Sequence, residues 1–230
     1  MSVDLSVVCP AYDEEDCIAD SIRTLSEALA GSGRTWQLVV VDDGSSDDTL
    51  ARARAARRPG VEVLTHRPNR GRGFALRRGI EAAIGRLVVT TEADLTWGTE
   101  SVLALARTLD ELGCDVSVAS PWLPGGAMRG VPPHRVLLSR VGNLALSYRF
   151  GVRMSTGMTR GYRRQALEQM RLTRDDKDLH LEILAEAQRL GLSVREVPAT
   201  LRWPDERRTR PSSLRARHVV HHLAWAFGLE

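Results

Sequence analysis

Four short apolar runs, each closed by a turn signal, constrain this chain more than any other feature. Leu5–Pro10, Trp36–Val41, Val61–Leu64 and Leu87–Thr91 are too short to be stable helices, and all but Val61–Leu64, which Glu62 interrupts, are nearly unbroken apolar runs. Nearly continuous apolarity over so few residues marks strands buried on both faces. Between them lie segments with helical character. Ile18, Ile22, Leu25 and Leu29 recur at helical spacing behind the acids Asp13–Asp16, which the reading places in the first helical turn. Asp48–Ala56 and a stretch from Arg70-Gly-Arg-Gly73 to Ala83 read as two further helices. Strands that alternate with helices, with no room for hairpins, imply right-handed crossovers and an α/β fold with a mostly parallel central sheet flanked by helices.

In such sheets ligands bind beyond the carboxyl ends of the strands. Those ends carry Pro10-Ala-Tyr-Asp-Glu14, Asp42-Asp43-Gly44 and Glu92-Ala-Asp94, so acids and turn residues converge on one rim. Further on, the pattern predicts a helix near Glu100–Leu112, a strand at Asp115–Ala119 and a long irregular loop around Leu123-Pro-Gly-Gly126 and Val131-Pro-Pro133. A helix over Arg135–Phe150, a short strand at Gly161–Arg163, a helix over Leu179–Leu190 and a strand at Val194–Val197 follow.

With 230 residues and 43% hydrophobic residues, the chain can bury one sizeable core. The formal net charge of +3 is carried almost wholly by arginine, Lys177 being the only lysine. So small an excess suits a solvated surface with some attraction for phosphate, and no nucleic-acid partner is expected. Cys9, Cys17 and Cys114 form no CxxC pair and read as buried thiols of a reducing compartment. No apolar run approaches the roughly 20 residues that span a bilayer. A cytoplasmic location is expected, with any membrane contact peripheral and at the inner face.

Glu92 and Asp94 stand one residue apart where a strand ends. In extended backbone, alternate residues point the same way. Two acids aimed together suit a hard divalent cation that bridges phosphate oxygens, although a solvated turn or helix cap also uses such pairs. Together with Val7-Val-Cys-Pro-Ala-Tyr-Asp-Glu14, Val41-Asp-Asp-Gly-Ser-Ser-Asp47 and Asn69-Arg-Gly-Arg-Gly73, the segment Glu92-Ala-Asp-Leu95 resembles the family 2 glycosyltransferases. Within them the chain looks most like the polyprenyl-phosphate (dolichol-phosphate) mannose synthase branch. Arg135 to Ser139 with Gly142-Asn143, Arg160-Gly-Tyr-Arg163, Glu196-Val-Pro198 and Glu206-Arg207 before Ser212-Ser-Leu214 extend the likeness to nearly the whole chain.

The resemblance implies a GT-A, Rossmann-like fold and a single domain over 1–230. Its nucleotide-binding part would be 1–120, its acceptor-binding part 121–214, and a C-terminal helix would occupy 215–230. Pro10, Tyr12, Glu14, Val41, Asp43, Arg72, Ala93, Asp94 and Arg207 would bind the donor, a GDP- or UDP-sugar, with Asp43 accepting hydrogen bonds from base or ribose. Glu92 and Asp94 would hold Mg²⁺ or Mn²⁺ on the diphosphate. Asp94, Arg135 and Ser139 would carry the reaction, the last two meeting the phosphate of a polyprenyl phosphate. Apolar Val136, Leu137, Val141 and Leu144 on the same helix would guide the isoprenoid tail. A hydroxyl acceptor would instead need a general base, for which Asp175, Asp176, Asp178 and Glu182 are candidates.

The chain departs from the branch at three places. Pro121 stands where an arginine is usual, Met154 where an aspartate is, and Ser213 where a lysine is. The leading expectation is metal-dependent inverting transfer of a sugar, mannose from GDP-mannose first, to a polyprenyl phosphate. A soluble enzyme acting on a small-molecule or secondary-metabolite acceptor is the second, and a nucleotide-binding module with decayed catalysis the third.

Overall fold

The computed structural model describes residues 2–203 and Trp225. Arg207, Ser213 and, apart from Trp225, the expected 215–230 helix lie outside the described residues. Seven strands form the central sheet: β1 (Leu5–Ala11), β2 (Trp36–Asp42), β3 (Val61–Thr65), β4 (Leu87–Thr90), β5 (Val116–Ser120), β7 (Arg160–Arg163) and β8 (Val194–Pro198). Their order is β3-β2-β1-β4-β7-β5-β8. The pairings are parallel except those of β7, which runs antiparallel to both β4 and β5.

The helices are α1 (Ile18–Ala30), α2 (Thr49–Ala55), α3 (Arg72–Ala82), α4 (Gly98–Glu111), α5 (Pro133–Phe150), α6 (Arg164–Gln169) and α7 (Leu179–Arg189). Two three-residue strands, β6 (Ala127–Arg129) and β9 (Thr200–Arg202), pair in parallel as a separate ribbon. The sequence pattern missed β6 and β9, which lie among turn signals and lack an apolar run, and α6, whose six residues are under two helical turns and show no helical period. Asp13–Asp16 also precede the first helix instead of opening it. The Glu14 carbonyl accepts from the Cys17 and Ile18 amides, at 3.1 and 3.0 Å, and α1 starts only there.

The core runs along both faces of the sheet. Leu5, Val7, Val8, Leu38, Val39, Val40, Val41, Leu87 and Val89 are completely or almost completely buried, as the apolar runs required. Cys9 and Cys114 are buried as expected, whereas Cys17 is only half-buried. Strand order reverses at β1, which pairs with β2 on one side and β4 on the other. Connections diverge at such a point and leave a crevice at the strand ends. Register fixes its shape. Pro10 pairs with Val41 and Ala11 with Asp42, so β1 and β2 end level. Thr90 at the end of β4 pairs with Val8, and the Thr91 amide donates to the Val8 carbonyl at 2.9 Å.

Candidate active site

A cleft of about 350 Å³ opens at this reversal point. The β1–α1 turn contributes Pro10, Ala11, Tyr12 and Glu14, the end of β2 gives Asp43, and the approach to α3 gives Asn69, Gly71 and Arg72. The turn after β4 adds Thr91, Glu92, Ala93 and Asp94, and Met158 closes the side toward β7.

The motif residues brace one another across the rim. The Asp13 amide donates to Ser45 Oγ (3.1 Å), the Glu14 amide to Thr49 Oγ1 (2.7 Å) and the Glu15 amide to an Asp47 carboxylate oxygen (3.2 Å). In return the Ser46 amide donates to Asp13 Oδ1 (2.8 Å) and the Asp48 amide to Glu15 Oε2 (3.1 Å). The β1–α1 and β2–α2 turns thus satisfy each other's backbone donors, which explains the Ser-Ser-Asp sequence after Gly44. Asp13 and Leu95 hold positive φ, at 50° and 51°, and are the non-glycine residues that do so among the described residues. Both belong to rim turns, where strained backbone is retained only if its surroundings fix it.

Asp42 and Asp43 part company. Asp42 turns inward, its carboxylate taking the Thr65 hydroxyl (2.8 Å) and the Ser45 amide (3.2 Å). Asp43 faces the cleft and is 3% exposed. Its Oδ1 accepts from His66 Nε2 at 2.7 Å and from the Arg70 amide at 3.0 Å, and its Oδ2 from Asn69 Nδ2 at 3.1 Å. A carboxylate can only accept here, so His66 carries its proton on Nε2. A carboxylate offers about four acceptor positions, so one remains, on Oδ2, for a ligand. His66 gave no signal in the sequence.

The glycines of Asn69-Arg-Gly-Arg-Gly73 are explained by a neighbouring segment. A β-carbon on Gly71 would lie 2.7 Å from the Asp175 carbonyl oxygen, and one on Gly73 2.3 Å from that of Asp176. The backbone at 174–176 runs against the start of α3, and the Phe74 amide donates to the Asp175 carbonyl at 3.0 Å.

Glu92 and Asp94 lie in a turn, not in extended backbone, yet both line the cleft. Ser21 Oγ donates to the Ala93 carbonyl at 2.5 Å and anchors the turn from below. Glu92 meets Arg72 (3.4 Å) through one oxygen and the Thr96 hydroxyl (3.0 Å) through the other, while Asp94 accepts from the Thr96 amide at 3.1 Å. Among the described residues, four carboxylates and one cation, Arg72, line the cleft. Their field reaches the thiol of Cys9 beneath. Burial first, then Asp94, Cys17, Glu14 and Glu92, push that thiol far above its ordinary range. Tyr12 is half-exposed at the mouth, and its phenol is raised mainly by Asp13.

Among the described residues, no group of three or more His, Cys, Asp or Glu side chains is placed to hold a metal by itself. The donor set nevertheless fits Mg²⁺ or Mn²⁺. Such ions are often bound by one or two carboxylates, with substrate phosphates and water completing the shell. Glu92 and Asp94 supply two hard oxygen donors in a region of excess negative charge.

Val41, Arg135 and Ser139 do not line the cleft. The Val41 side chain is 0% exposed in the core, so any contact with a ligand would fall to its backbone. Arg135 stacks its guanidinium over Trp203, 4.6 Å from the ring centroid. Ser139 accepts from Asn143 Nδ2 through its carbonyl (2.8 Å) and its hydroxyl (3.3 Å). Asn143 is 2% exposed, and its Oδ1 takes the amides of Ser155 (2.7 Å) and Thr156 (3.2 Å). It ties α5 to the loop that carries Met158 into the cleft. Leu137, Val141 and Leu144, expected beside a lipid tail, point about half a turn away from Arg135 and Ser139 and are exposed.

The acidic segment before α7 is also sorted. Asp175 pairs with Arg70 and Arg77, and although burial opposes it, these two arginines hold its carboxyl below the ordinary range. Glu182 accepts from the Thr173 and Arg174 amides and the Thr173 hydroxyl. Asp178 is buried. At the departures, Met154 is buried and its amide donates to Glu196 at 2.9 Å, and Pro121 is buried at the end of β5.

Comparison with known proteins agrees with this geometry. The family described as "Glycosyl transferase family 2" matches residues 6–171. Polyprenol monophosphomannose synthase of Mycolicibacterium smegmatis is 30% identical over 207 residues, covering 84% of this chain and 76% of that protein. Dolichol-phosphate mannosyltransferase of Pyrococcus furiosus is 26% identical over 231 residues, with 96% and 64% covered. Dodecaprenyl-phosphate galacturonate synthase of Rhizobium johnstonii is 31% identical over 120 residues, and the match spans only 36% of its length. Among solved structures, glucosyl-3-phosphoglycerate synthase of Mycobacterium tuberculosis in complex with Mg²⁺ and UDP superimposes with a TM-score of 0.70 at 23% identity, covering 98% of this chain and 80% of that one. That likeness shows a shared fold. The strand order, the braced rim motifs and the family match together make this chain a member of glycosyltransferase family 2.

Proposed function

We propose that this glycosyltransferase moves a sugar from a nucleoside diphosphate donor to a polyprenyl phosphate in one inverting displacement, with Mg²⁺ or Mn²⁺ held by Glu92 and Asp94. The observation that carries the reading is the meeting in one cleft of Asp43, with a single open acceptor position, and the Glu92/Asp94 turn. Asp43 fixes the nucleoside through that position. Tyr12 and Pro10 offer flat apolar surface to the base. A divalent cation on the diphosphate offsets the charge that builds on the leaving group.

An ionised phosphate oxygen is already a nucleophile and needs no general base. That suits a site in which Asp175 and Glu182 are committed to arginines and backbone amides. Arg135, with Ser139 one turn along the same face, is the pair offered to the acceptor phosphate, by a guanidinium fork and a hydroxyl. The names of the Mycolicibacterium and Pyrococcus relatives support a polyprenyl-type acceptor and make GDP-mannose the first donor to test.

The test is a screen of nucleotide sugars against a short polyprenyl phosphate and the matching unphosphorylated alcohol, with Mg²⁺ or Mn²⁺. Transfer to the phosphate and not to the alcohol is expected. Asp94→Asn should lower turnover by orders of magnitude with folding retained, and Glu92→Gln should do so less severely. Transfer to the alcohol alone, or full activity after chelation, refutes the reading.

A further inference from the structure

Arg135 stands where helix electrostatics disfavours a cation. It lies in the first turn of α5, a turn without an acid, behind a Pro132 cap that supplies no side-chain hydrogen bond. The positive end of the helix dipole repels a guanidinium there. Among the described residues, no carboxylate or carbonyl accepts from its side chain, and the contact that holds it is the Trp203 ring, 4.6 Å from centroid to guanidinium carbon. A guanidinium carries its five N–H groups in one plane. Stacking its face on an aromatic ring uses none of them, so the stack fixes the plane and leaves the whole fork for a phosphate.

Backbone contacts seat Trp203. At the end of β9, Arg202 is exposed while Leu201 and Trp203 on either side are half-buried, the alternation of a strand. The Trp203 amide donates to the Arg129 carbonyl of β6 at 2.8 Å, and the Arg202 amide to the Thr96 carbonyl at 2.7 Å. Thr96 is buried. Its hydroxyl donates to Glu92 at 3.0 Å and its amide to Asp94 at 3.1 Å. One residue thus touches both expected metal ligands and the strand that carries the ring. The indole Nε1 is buried with no hydrogen-bond partner among the described residues, so the ring acts through its face.

We infer that Trp203 is a positioning residue for the acceptor: its face holds the Arg135 guanidinium plane, and Thr96 sets where that plane lies relative to Glu92 and Asp94. This rests on the proposed role of Arg135 at the acceptor phosphate. Transfer needs the acceptor oxygen within reach of the donor's sugar carbon although the two phosphates repel. An arginine swinging on its long stem would bind the acceptor in many places. One held on a platform tied to the Glu92/Asp94 turn binds it in one.

The full chain is titrated calorimetrically with a short polyprenyl phosphate, which reads acceptor affinity without turnover, and KM and kcat are read with a nucleotide sugar. Trp203→Leu removes the platform. Acceptor affinity should fall, and KM rise, by roughly 3- to 30-fold, the range that a cation–π contact spans. The affinity for UDP and GDP and kcat should change little. Trp203→Phe keeps a flat face and loses no hydrogen bond, so it should stay within about twofold of the parent. In an Arg135→Ala background Trp203→Leu should add nothing, since the group it holds is gone. A Trp203 that only supported the fold would lower the melting temperature and act equally with or without Arg135. The inference is overturned if Trp203→Leu leaves acceptor affinity unchanged while Arg135→Ala lowers it, if Trp203→Phe is as impaired as Trp203→Leu, or if the two substitutions add in full. Those outcomes strike Trp203 alone and leave the proposed reaction standing. A parent that binds no polyprenyl phosphate, or an Arg135→Ala variant that binds it like the parent, ends the reading of Arg135 and this inference together.

Discussion

Replacing Asp43 separates two roles that one carboxylate performs. In the folded protein it accepts from His66, Asn69 and the Arg70 amide, and it keeps one acceptor position on Oδ2 for the nucleoside. One hydrogen bond to a charged acceptor contributes roughly 1.5–3 kcal/mol. At about 1.4 kcal/mol per tenfold change, loss of that bond should weaken nucleoside diphosphate binding by roughly 10- to 150-fold. Asp43→Ala should also strand three donors around a nearly buried site, so it should lower folding stability by about 1–3 kcal/mol or more. Asp43→Asn is the cleaner probe. It retains one oxygen for His66 and Arg70, and the Asn69 amide can reverse to accept from the new NH₂ group. Most of the stability should return while binding stays impaired. Titration calorimetry with UDP and GDP, beside urea melts, reads both quantities. If Asp43→Asn and Asp43→Ala bind both nucleotides as tightly as the parent while Asp43→Ala is destabilised, Asp43 only staples the loop before α3, and its place in the nucleotide site is wrong.

Arg135→Ala should raise KM for a phosphate-bearing acceptor strongly and leave nucleotide affinity nearly unchanged, with Ser139→Ala a milder version. Steady-state kinetics against a short polyprenyl phosphate checks this, and an unchanged KM removes the pair from the acceptor site. Glu186 gives a pH signature away from the cleft. Hydrogen bonds from Arg189 first, then the Arg171 amide, against a burial penalty, bring its carboxyl from 4.5 to about 2. A depressed folded value means that its stabilisation is complete above about pH 4.5 and fades as pH falls toward 2. Glu186→Gln should be less stable than the parent at pH 6, and the gap should close in acid urea melts. A gap constant down to pH 2 contradicts the assignment.

The sheet was legible because buried parallel strands leave continuous apolar runs, and the rim because turn residues and acids cluster where those runs stop. Asp42 and Asp43 were read as one acidic pair, although adjacent residues at a strand end point to opposite sides. That alternation was available in the sequence, but only the family resemblance pointed to Asp43 as the residue on the cleft side, and the physical reason lies in where β1 and β2 end. His66 was invisible, since a lone histidine after a strand has no period or spacing to mark it. The partners of Glu196 and Asn143 were equally hidden. Each caps amides of the segment after α5, a contact between parts of the chain that no local pattern joins. The apolar positions of α5 were legible from their spacing, but that Leu137, Val141 and Leu144 stay exposed, about half a turn from Arg135 and Ser139, depended on which face the helix packs.

The antiparallel strand β7 has a consequence for how the molecule is made. On one side of it lies β3-β2-β1-β4 and on the other β5-β8, and these two halves share no strand pairing of their own. Residues 160–163 supply both bridging ladders, one to β4 and one to β5. As the chain emerges from the ribosome, the nucleotide-side half can complete its pairings among residues 5–90 early, from contacts close in sequence. The β4 edge then stays open until β7 arrives some seventy residues later. Throughout that interval the nascent protein carries an apolar strand with one edge unpaired, so this seam is where strand pairing with another chain competes with folding.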